Sequence, residues 1–280
     1  MPLSVFAAVM LGAALHASWN AIVKAGGDKL LTTLLVATGS ALIALPFLFL
    51  LPAPAPASWP FLAASTVAQV VYFALVAGAY GATDMSLAYP LMRGSAPVLV
   101  ALAGTLVLGE RIGPTGWAGV ALVSGGVLAM AGAGRRGGSA SRRGVALALI
   151  NAGVIATYTL IDGIGVRRSG APVSYAMWLF VANALPLLGW ALATRGRALA
   201  AYARAHLGAG LVGGFGNLGS YGLALWAMTG APVAVVAALR ETSILFGLAI
   251  AGLVLGERVG RARLAAAALI FCGAMALRLA

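Results

Sequence analysis

The segment LVLGERIG at residues 106–113 returns as LVLGERVG at residues 253–260, with seven identities in eight positions. The offset is 147 residues, and ALPFL at 44–48 returns as ALPLL at 184–188 with an offset of 140. A glycine before a Glu–Arg pair is typical of a helix end, so we expect a helix to end at each copy. The two matches predict a duplicated chain, with one repeat at residues 1–134 and the second at 135–280. A basic, glycine- and serine-rich linker at 131–144 joins them.

The composition excludes a soluble globular protein. Hydrophobic residues make up 62% of the 280 residues, charged residues only 9%, and the mean hydropathy is +1.01. A soluble domain carries about 25% charged residues. Apolar runs of about 20 residues are long enough to cross a hydrocarbon layer of about 30 Å as helices. We predict ten such spans, numbered 1 to 10 in chain order: 3–24, 30–51, 59–80, 85–109, 114–133, 144–166, 172–194, 207–229, 231–255 and 261–279.

The number of spans in each repeat decides their relative orientation. Five is odd, so the second repeat must enter the membrane from the side opposite to the first. The sequence therefore predicts an all-α membrane protein whose ten transmembrane helices form two inverted five-helix repeats. Inverted repeats place a substrate site at their interface near the bilayer midplane and support alternating access.

Basic residues in the connections predict the orientation in the membrane. Twelve lysines and arginines lie in the odd-numbered connections, and four lie in the even-numbered connections and the termini. Cytoplasmic loops carry the excess of such residues, so we predict that both termini lie outside the cytoplasm. The net charge of +12 is thus a topology signal, and we expect no nucleic-acid partner. Arg167 and Arg168, in connection 6–7, are expected to be solvated.

Two arginines interrupt the apolar spans at equivalent positions. Arg93 lies about eight residues into span 4 and Arg240 about nine residues into span 9, at depths of roughly 12 and 14 Å. A charge at such a depth is costly and must face protein or water. Glu241 cannot share a helix face with Arg240, because neighbours differ by about 100°. It can reach another helix, or Arg93.

Two interpretations of this cluster remain open. The arginines can be structural, bonding to helix-end carbonyls and to Glu241. Alternatively, the two guanidinium groups form a cradle for a carboxylate, phosphate or phosphonate, for which their planar forks are suited. In that case Glu241 would recognise an amine or carry a coupling proton.

Further polar and aromatic side chains follow the spans at helical spacing. They concentrate on spans 1, 3, 4, 6, 8 and 9 and predict the wall of a cavity, whereas spans 5 and 10 serve as scaffold. Each of them alone would also fit an ordinary interhelical hydrogen bond or aromatic packing. The predicted substrate-binding residues are Arg93, Arg240, Glu241, Trp19, Asn20, His16, Tyr72, Tyr89, Tyr158, Asn217 and Tyr221. His16 is a further candidate proton carrier, because imidazole titrates near neutral pH.

The sequence lacks the patterns of the main alternative functions. It contains neither HExxH nor GxSxG, so no catalytic residue is predicted and we expect no enzyme. Cys272 is its single cysteine, which excludes multi-cysteine metal sites, and we predict no metal and no cofactor. No GxxxxGK[ST] loop is present, so a proton or substrate gradient must drive any transport by this chain.

The duplicated chain resembles the drug/metabolite transporter superfamily, of the EamA type. The resemblance rests on two five-span halves that each close their fourth span with LGER, and on HASWNAIVK (16–24), AYPLMRGSAP (88–97) and AALRETSILF (237–246). It implies ten helices, a central cavity lined by spans 1, 3, 4, 6, 8 and 9, and a peripheral last span in each repeat. It also implies cytoplasmic termini, opposite to the orientation that the charges predict.

These observations together predict a secondary transporter. It moves a small polar metabolite with an anionic carboxylate, phosphate or phosphonate group through a central cavity by alternating access. We expect a monomer in the lipid bilayer of the cell (inner) membrane, with proton coupling as one driving force. The alternatives are a flippase for a lipid-linked head group and a multidrug or amino-acid exporter.

Overall fold

The computed structural model describes residues 1–134, 141–253, 256 and 259–280, so the centre of the predicted linker lies outside the described residues. The described part of the chain contains helices and no β-strands. The α-helices are α1 (Leu3–Ala25), α2 (Lys29–Ala44), α3 (Phe47–Leu50), α4 (Trp59–Ala82), α5 (Met85–Val107), α6 (Pro114–Gly134), α7 (Arg142–Arg168), α8 (Pro172–Ala227), α9 (Val233–Arg240), α10 (Ser243–Leu253) and α11 (Arg261–Leu279).

Nine helical segments among the described residues are long and apolar enough to cross a membrane. One of them, α8, contains two spans. Helix α8 has 56 residues, which would extend about 84 Å if straight. Its backbone leaves helical geometry at Arg195 and His206. The rings of Phe180 and Tyr221 lie 6.4 Å apart, although 41 helical residues would separate them by about 60 Å. The chain therefore folds back, α8 supplies spans 7 and 8, and the predicted ten spans are confirmed.

Two spans consist of two helical pieces each. Span 2 is divided at Pro46, which lies between α2 and α3. Span 9 is divided at Glu241 and Thr242, whose backbone N–H groups donate to the carbonyls of Ala238 and Leu239 at 3.1 and 3.0 Å. Bonds to the third preceding residue wind the chain more tightly than an α-helix, and such stretches often mark hinges. A joint therefore lies directly beside Arg240.

Helix packing follows the predicted inverted symmetry, which exchanges span 1 with span 6, span 3 with span 8 and span 5 with span 10. Helix α4 (span 3) packs along α7 (span 6), and α8 packs along α1, where Gly12 of span 1 lies against Ser220 of span 8. Helix α6 packs along α11, so spans 5 and 10 contact each other. The structure confirms the all-α class and the arrangement of two inverted five-helix repeats.

The glycine of each LGER segment has left-handed backbone geometry. Gly109 has φ +65° and Gly256 has φ +64°, and the two glycines are 147 residues apart. The carbonyl of Gly104 accepts the N–H groups of Leu108 and Glu110, both at 3.1 Å, which closes the end of span 4. The predicted helix end is confirmed at the first copy, while residues 254–255 and 257–258 of the second copy lie outside the described residues.

Large apolar side chains cover the outer surface of the bundle. Phe49 is 84% exposed and Leu106 is 83% exposed, and more than thirty large hydrophobic residues in all are at least 37% exposed. Such a surface would associate in water, so it indicates a lipid environment.

Spans 2 and 8 approach each other through glycine. A Cβ atom on Gly214 would lie 2.5 Å from the carbonyl carbon of Gly39 and from the nitrogen of Ser40. The Ser40 hydroxyl donates to the Gly214 carbonyl at 3.1 Å across the same contact. Backbone thus packs on backbone, as is common where lipid supplies no hydrophobic drive between helices.

We expect Gly214→Ala to destabilise the bundle by about 1–3 kcal/mol, because the new methyl group meets backbone atoms that cannot rotate away. The matched control is Gly189→Ala in the same helix, since a Cβ there meets no atom within 4 Å. Thermal unfolding in detergent measures both. Equal midpoints for the two variants would show that the contact is not tight.

Candidate functional site

A cavity of about 180 Å³ lies between the two halves of the chain. Side chains from eight spans line it, namely all spans except 5 and 10. Spans 2 and 7 were not expected in the wall, so the predicted set of six lining spans was incomplete. Spans 2 and 7 occupy the same place in their repeats, so the addition keeps the symmetry of the wall.

The structure brings ten of the eleven predicted site residues to this cavity. They are His16, Trp19, Asn20, Tyr72, Tyr89, Arg93, Tyr158, Asn217, Tyr221 and Arg240. Glu241 does not line it. Two of the ten already donate hydrogen bonds to protein. The Asn20 amide donates to the His16 carbonyl at 2.8 Å within α1, and the Asn217 amide donates to the Ser40 hydroxyl of span 2 at 3.1 Å.

Glu241 lies behind the cavity wall and pairs with Arg93. The Nε–H of Arg93 donates to Oε2 of Glu241 at 3.0 Å, across the interface between the repeats. Arg93 is 8% exposed and Glu241 is 4% exposed. The prediction that Glu241 can reach Arg93 rather than share the face of Arg240 is confirmed. This pair also satisfies part of the structural interpretation, since a buried charge requires a partner.

The outer edge of the Arg93 guanidinium has no partner. Among the described residues, Nη1 and Nη2 make no hydrogen bond to protein, and Nη2 is buried. The indole N–H of Trp19 and the Oδ1 atom of Asn183 are buried at the wall and unpaired as well. Buried polar atoms are nearly always hydrogen-bonded, so an unpaired set at one cavity indicates a site for a polar ligand or water.

Arg240 lies at the end of α9, half-buried in the same cavity. Its guanidinium carbon is 4.6 Å from the centre of the Tyr221 ring, in cation–π geometry. Within the described ranges it forms no salt bridge and no hydrogen bond. A guanidinium held only through its face keeps all its N–H donors for a ligand.

The cavity lies in the middle of the bundle, between the face of the odd-numbered connections and the opposite face, that of the even-numbered connections. Asn20 is five residues from the end of α1 and Thr33 is four residues from the start of α2, at depths of about 6–8 Å from connection 1–2. Tyr221 is six residues from the end of α8, about 9 Å from connection 8–9.

A cluster of bonds closes the opposite face, and we call Glu110 and Arg167 the latch. Arg167 donates to Glu110 at 2.8 Å and to the carbonyls of Met228 and Ala231 at 2.8 and 3.0 Å. Glu110 also accepts the backbone N–H of Val233 at 3.0 Å, at the start of α9. Arg167 and Arg168 were expected to be solvated. Both are exposed, but each also contacts protein: Arg167 bonds to Glu110, and Arg168 lies over the Phe61 ring at 4.9 Å. The latch ties spans 4, 6 and 9 together.

Several wall residues were not predicted. They are Thr33, Val36 and Ala37 of span 2, Phe73 of span 3, Phe180, Asn183, Ala184 and Leu187 of span 7, and Ser220 of span 8. Asn183 could have been predicted from the sequence, because a lone amide in an apolar span usually faces protein or water. The apolar members carried none, since apolar side chains in a membrane span face lipid, core and cavity alike.

Comparison with known proteins identifies the second half of the chain. The model of the family described as "EamA-like transporter family" matches residues 142–279. These residues belong to the EamA-like transporter family. The chain is a multi-pass membrane transporter of small molecules, and the resemblance seen in its sequence is confirmed. Members of this family are transporters, which agrees with the prediction that the chain is not an enzyme.

The whole chain is also similar in fold to a solved structure titled only "Crystal structure of protein". The TM-score is 0.73 at 19% sequence identity, over 99% of this chain and 96% of that chain. This likeness covers both halves of the chain and concerns the fold alone. No curated protein matches the chain.

Proposed function

We propose that this EamA-type protein is a secondary transporter for a small polar metabolite that bears a carboxylate, phosphate or phosphonate group. The observation that supports this substrate class is the free edge of Arg93, which lies in the same cavity as the free guanidinium of Arg240. Glu241 neutralises one of the two charges and leaves one positive charge for the ligand. A guanidinium edge binds an oxyanion through two parallel hydrogen bonds.

Alternating access is the proposed mechanism. The cavity lies in the middle of the bundle, the latch closes one face, and the joint in span 9 lies directly beside Arg240 of the cavity wall. Opening of the latch would free the start of α9 from Glu110, and the two halves could then rock about Arg93 and Arg240. Inverted repeats commonly move in this way around a fixed site.

The repeat boundary, the membrane, the oligomeric state and the orientation of the protein remain proposals. We place the boundary between the repeats near residues 134 and 135, the protein in the cell (inner) membrane as a monomer, and both termini outside the cytoplasm.

Transport in liposomes tests the substrate class. Purified protein is assayed with labelled organic phosphates, phosphonates, carboxylates, amino acids and polyamines, with and without a pH gradient. We expect uptake of at least one class of organic anion and none of the polyamines. Uptake restricted to amines, or transfer of a labelled lipid head group between leaflets in place of solute uptake, would contradict the proposal.

Weakening the latch is expected to open the closed face. Glu110→Gln keeps the shape of the side chain but removes the charge that Arg167 pairs with, a contact worth about 1–1.5 kcal/mol. We expect alkylation of a cysteine placed by Ala234→Cys, in a Cys272→Ala background, to become about 5- to 10-fold faster. Ala234 is fully buried beside the latch.

The matched control for the latch is Asp84→Asn, since Asp84 is an exposed carboxylate without a cap hydrogen bond at the opposite face. This variant should leave the alkylation rate unchanged. Equal rates in Glu110→Gln and in the parent would show that the latch does not hold that face closed.

A further inference from the structure

Span 6 carries a buried carboxyl that is not part of the wall of the cavity between the repeats. Asp162 is 0% exposed, and no basic side chain forms a salt bridge with it within the described part of the chain. Its Oδ2 accepts the Tyr221 hydroxyl at 2.6 Å, and its Oδ1 accepts the Tyr175 hydroxyl at 3.3 Å. A buried carboxylate without a cation is costly, so a purely structural role would favour a neutral residue here.

The partners of Asp162 suit both protonation states. A hydroxyl can donate to a carboxylate and, after rotation, can accept from a carboxylic acid, whereas a guanidinium can only donate. The groups around this carboxyl are Tyr221 from span 8, Tyr175 from span 7 and the buried Ser65 hydroxyl from span 3. Tyr158 lies one turn earlier on span 6, and the Arg240 guanidinium lies over the face of the Tyr221 ring.

Tyr221 connects this carboxyl to the cavity. Its hydroxyl bonds to Asp162, its ring lies 4.6 Å from the guanidinium carbon of Arg240, and it belongs to the cavity wall. One side chain thus contacts both the proposed anion site and the buried carboxyl. Glu241 is less suited to exchange a proton with the cavity, because its Oε2 atom accepts a hydrogen bond from the Arg93 guanidinium at 3.0 Å.

We propose that Asp162 is the proton-binding site of this transporter and takes up its proton through Tyr221. The proposal rests on the function proposed above. In the transfer, the Tyr221 hydroxyl passes its proton to Oδ2 of Asp162 and receives another from a hydronium ion in the cavity, which leaves neutral Tyr221 and water. The carboxylate becomes a carboxylic acid, and one positive charge enters the site.

Anion and proton binding would favour each other. The positive charge of Arg240 stabilises an ionised Asp162, and an anion bound to Arg240 offsets that charge. By linkage, a bound proton favours the anion to the same extent. The coupled species is one proton with one anion, moved in the same direction.

Infrared difference spectroscopy tests the proton site without a substrate. We expect a carbonyl-stretch band of a protonated carboxyl that appears and disappears with pH in the wild-type protein and is absent from Asp162→Asn. Tyr175→Phe should retain the band at a shifted frequency, because one hydrogen bond to the carboxyl is lost. A band that persists in Asp162→Asn would overturn the proposal. If that variant does not fold, an unshifted band in Tyr175→Phe would overturn it.

Transport tests the coupling. For the anion that the wild-type protein accumulates, an inward gradient of one pH unit can raise accumulation about tenfold at one proton per anion. We expect Asp162→Asn to lose this stimulation but to retain equilibrium exchange at equal pH, and Tyr175→Phe to retain both. Stimulation that survives in Asp162→Asn would overturn the proposal in favour of His16 or Glu241. If the wild-type protein moves no anion, the proposed function fails, and the infrared bands still decide the role of Asp162.

Discussion

Replacing Arg93 by lysine is expected to reduce transport of the organic anion by about 10- to 100-fold. An ammonium group is a point charge and cannot bond Glu241 while presenting two parallel donors to an oxyanion. Charge-assisted hydrogen bonds contribute about 1.5–3 kcal/mol, and each 1.36 kcal/mol is a factor of ten. Arg240→Lys should have a similar effect, because its free N–H donors face the same cavity. Initial rates of uptake into liposomes measure both.

The matched control for these variants is Arg168→Lys, since Arg168 lies over Phe61, away from the cavity. It should transport at the wild-type rate. Full activity of both Arg93→Lys and Arg240→Lys would mean that the guanidinium groups hold the bundle together and do not bind the substrate.

Removing the charge of Glu241 should have the largest effect on stability. Glu241→Gln leaves the buried Arg93 without a counter-charge, and breaking such a pair costs about 3–5 kcal/mol. We expect a clearly lower unfolding temperature in detergent. Replacing both partners, with Arg93→Met and Glu241→Leu, should recover most of the stability but none of the transport.

Glu241→Gln and the double variant of Arg93→Met and Glu241→Leu together separate a structural role of the ion pair from a role in substrate binding. Recovery of stability with loss of transport assigns the pair to binding as well as to packing. A Glu241→Gln protein that is as stable as the wild type would show that the ion pair is not needed to compensate Arg93.

Much of the fold was predictable because membrane spans follow from few physical constraints. The hydrocarbon thickness fixes the length of each apolar run, the repeated LGER segments indicate two repeats, and the odd number of spans in each repeat implies their inversion. The predicted bounds of span 10, 261–279, agree with α11 to the residue. The run at Arg195–His206 was also located correctly as a turning region, although the backbone there departs from helical geometry at only two residues.

The site was predictable where a polar residue interrupts an apolar span. Arg93, Arg240 and Asn217 stand out for that reason, and all three reach the cavity. The latch was not predictable, because Glu110 and Arg167 are 57 residues apart and lie at span ends, where charged residues are usually solvated. Asp162 also interrupts an apolar span, but its hydroxyl partners depend on how spans 6, 7 and 8 pack.

The most direct test measures whether the two repeats bind one anion together. Affinity for the transported anion is determined for the purified wild-type protein, Arg93→Lys, Arg240→Lys and the double variant. We predict that each single change weakens binding at least about tenfold, and that the double change costs less than the product of the two, with a coupling of about 0.5–3 kcal/mol. Unchanged affinity in either single variant, or strictly multiplicative losses, would contradict a shared anion site between Arg93 and Arg240.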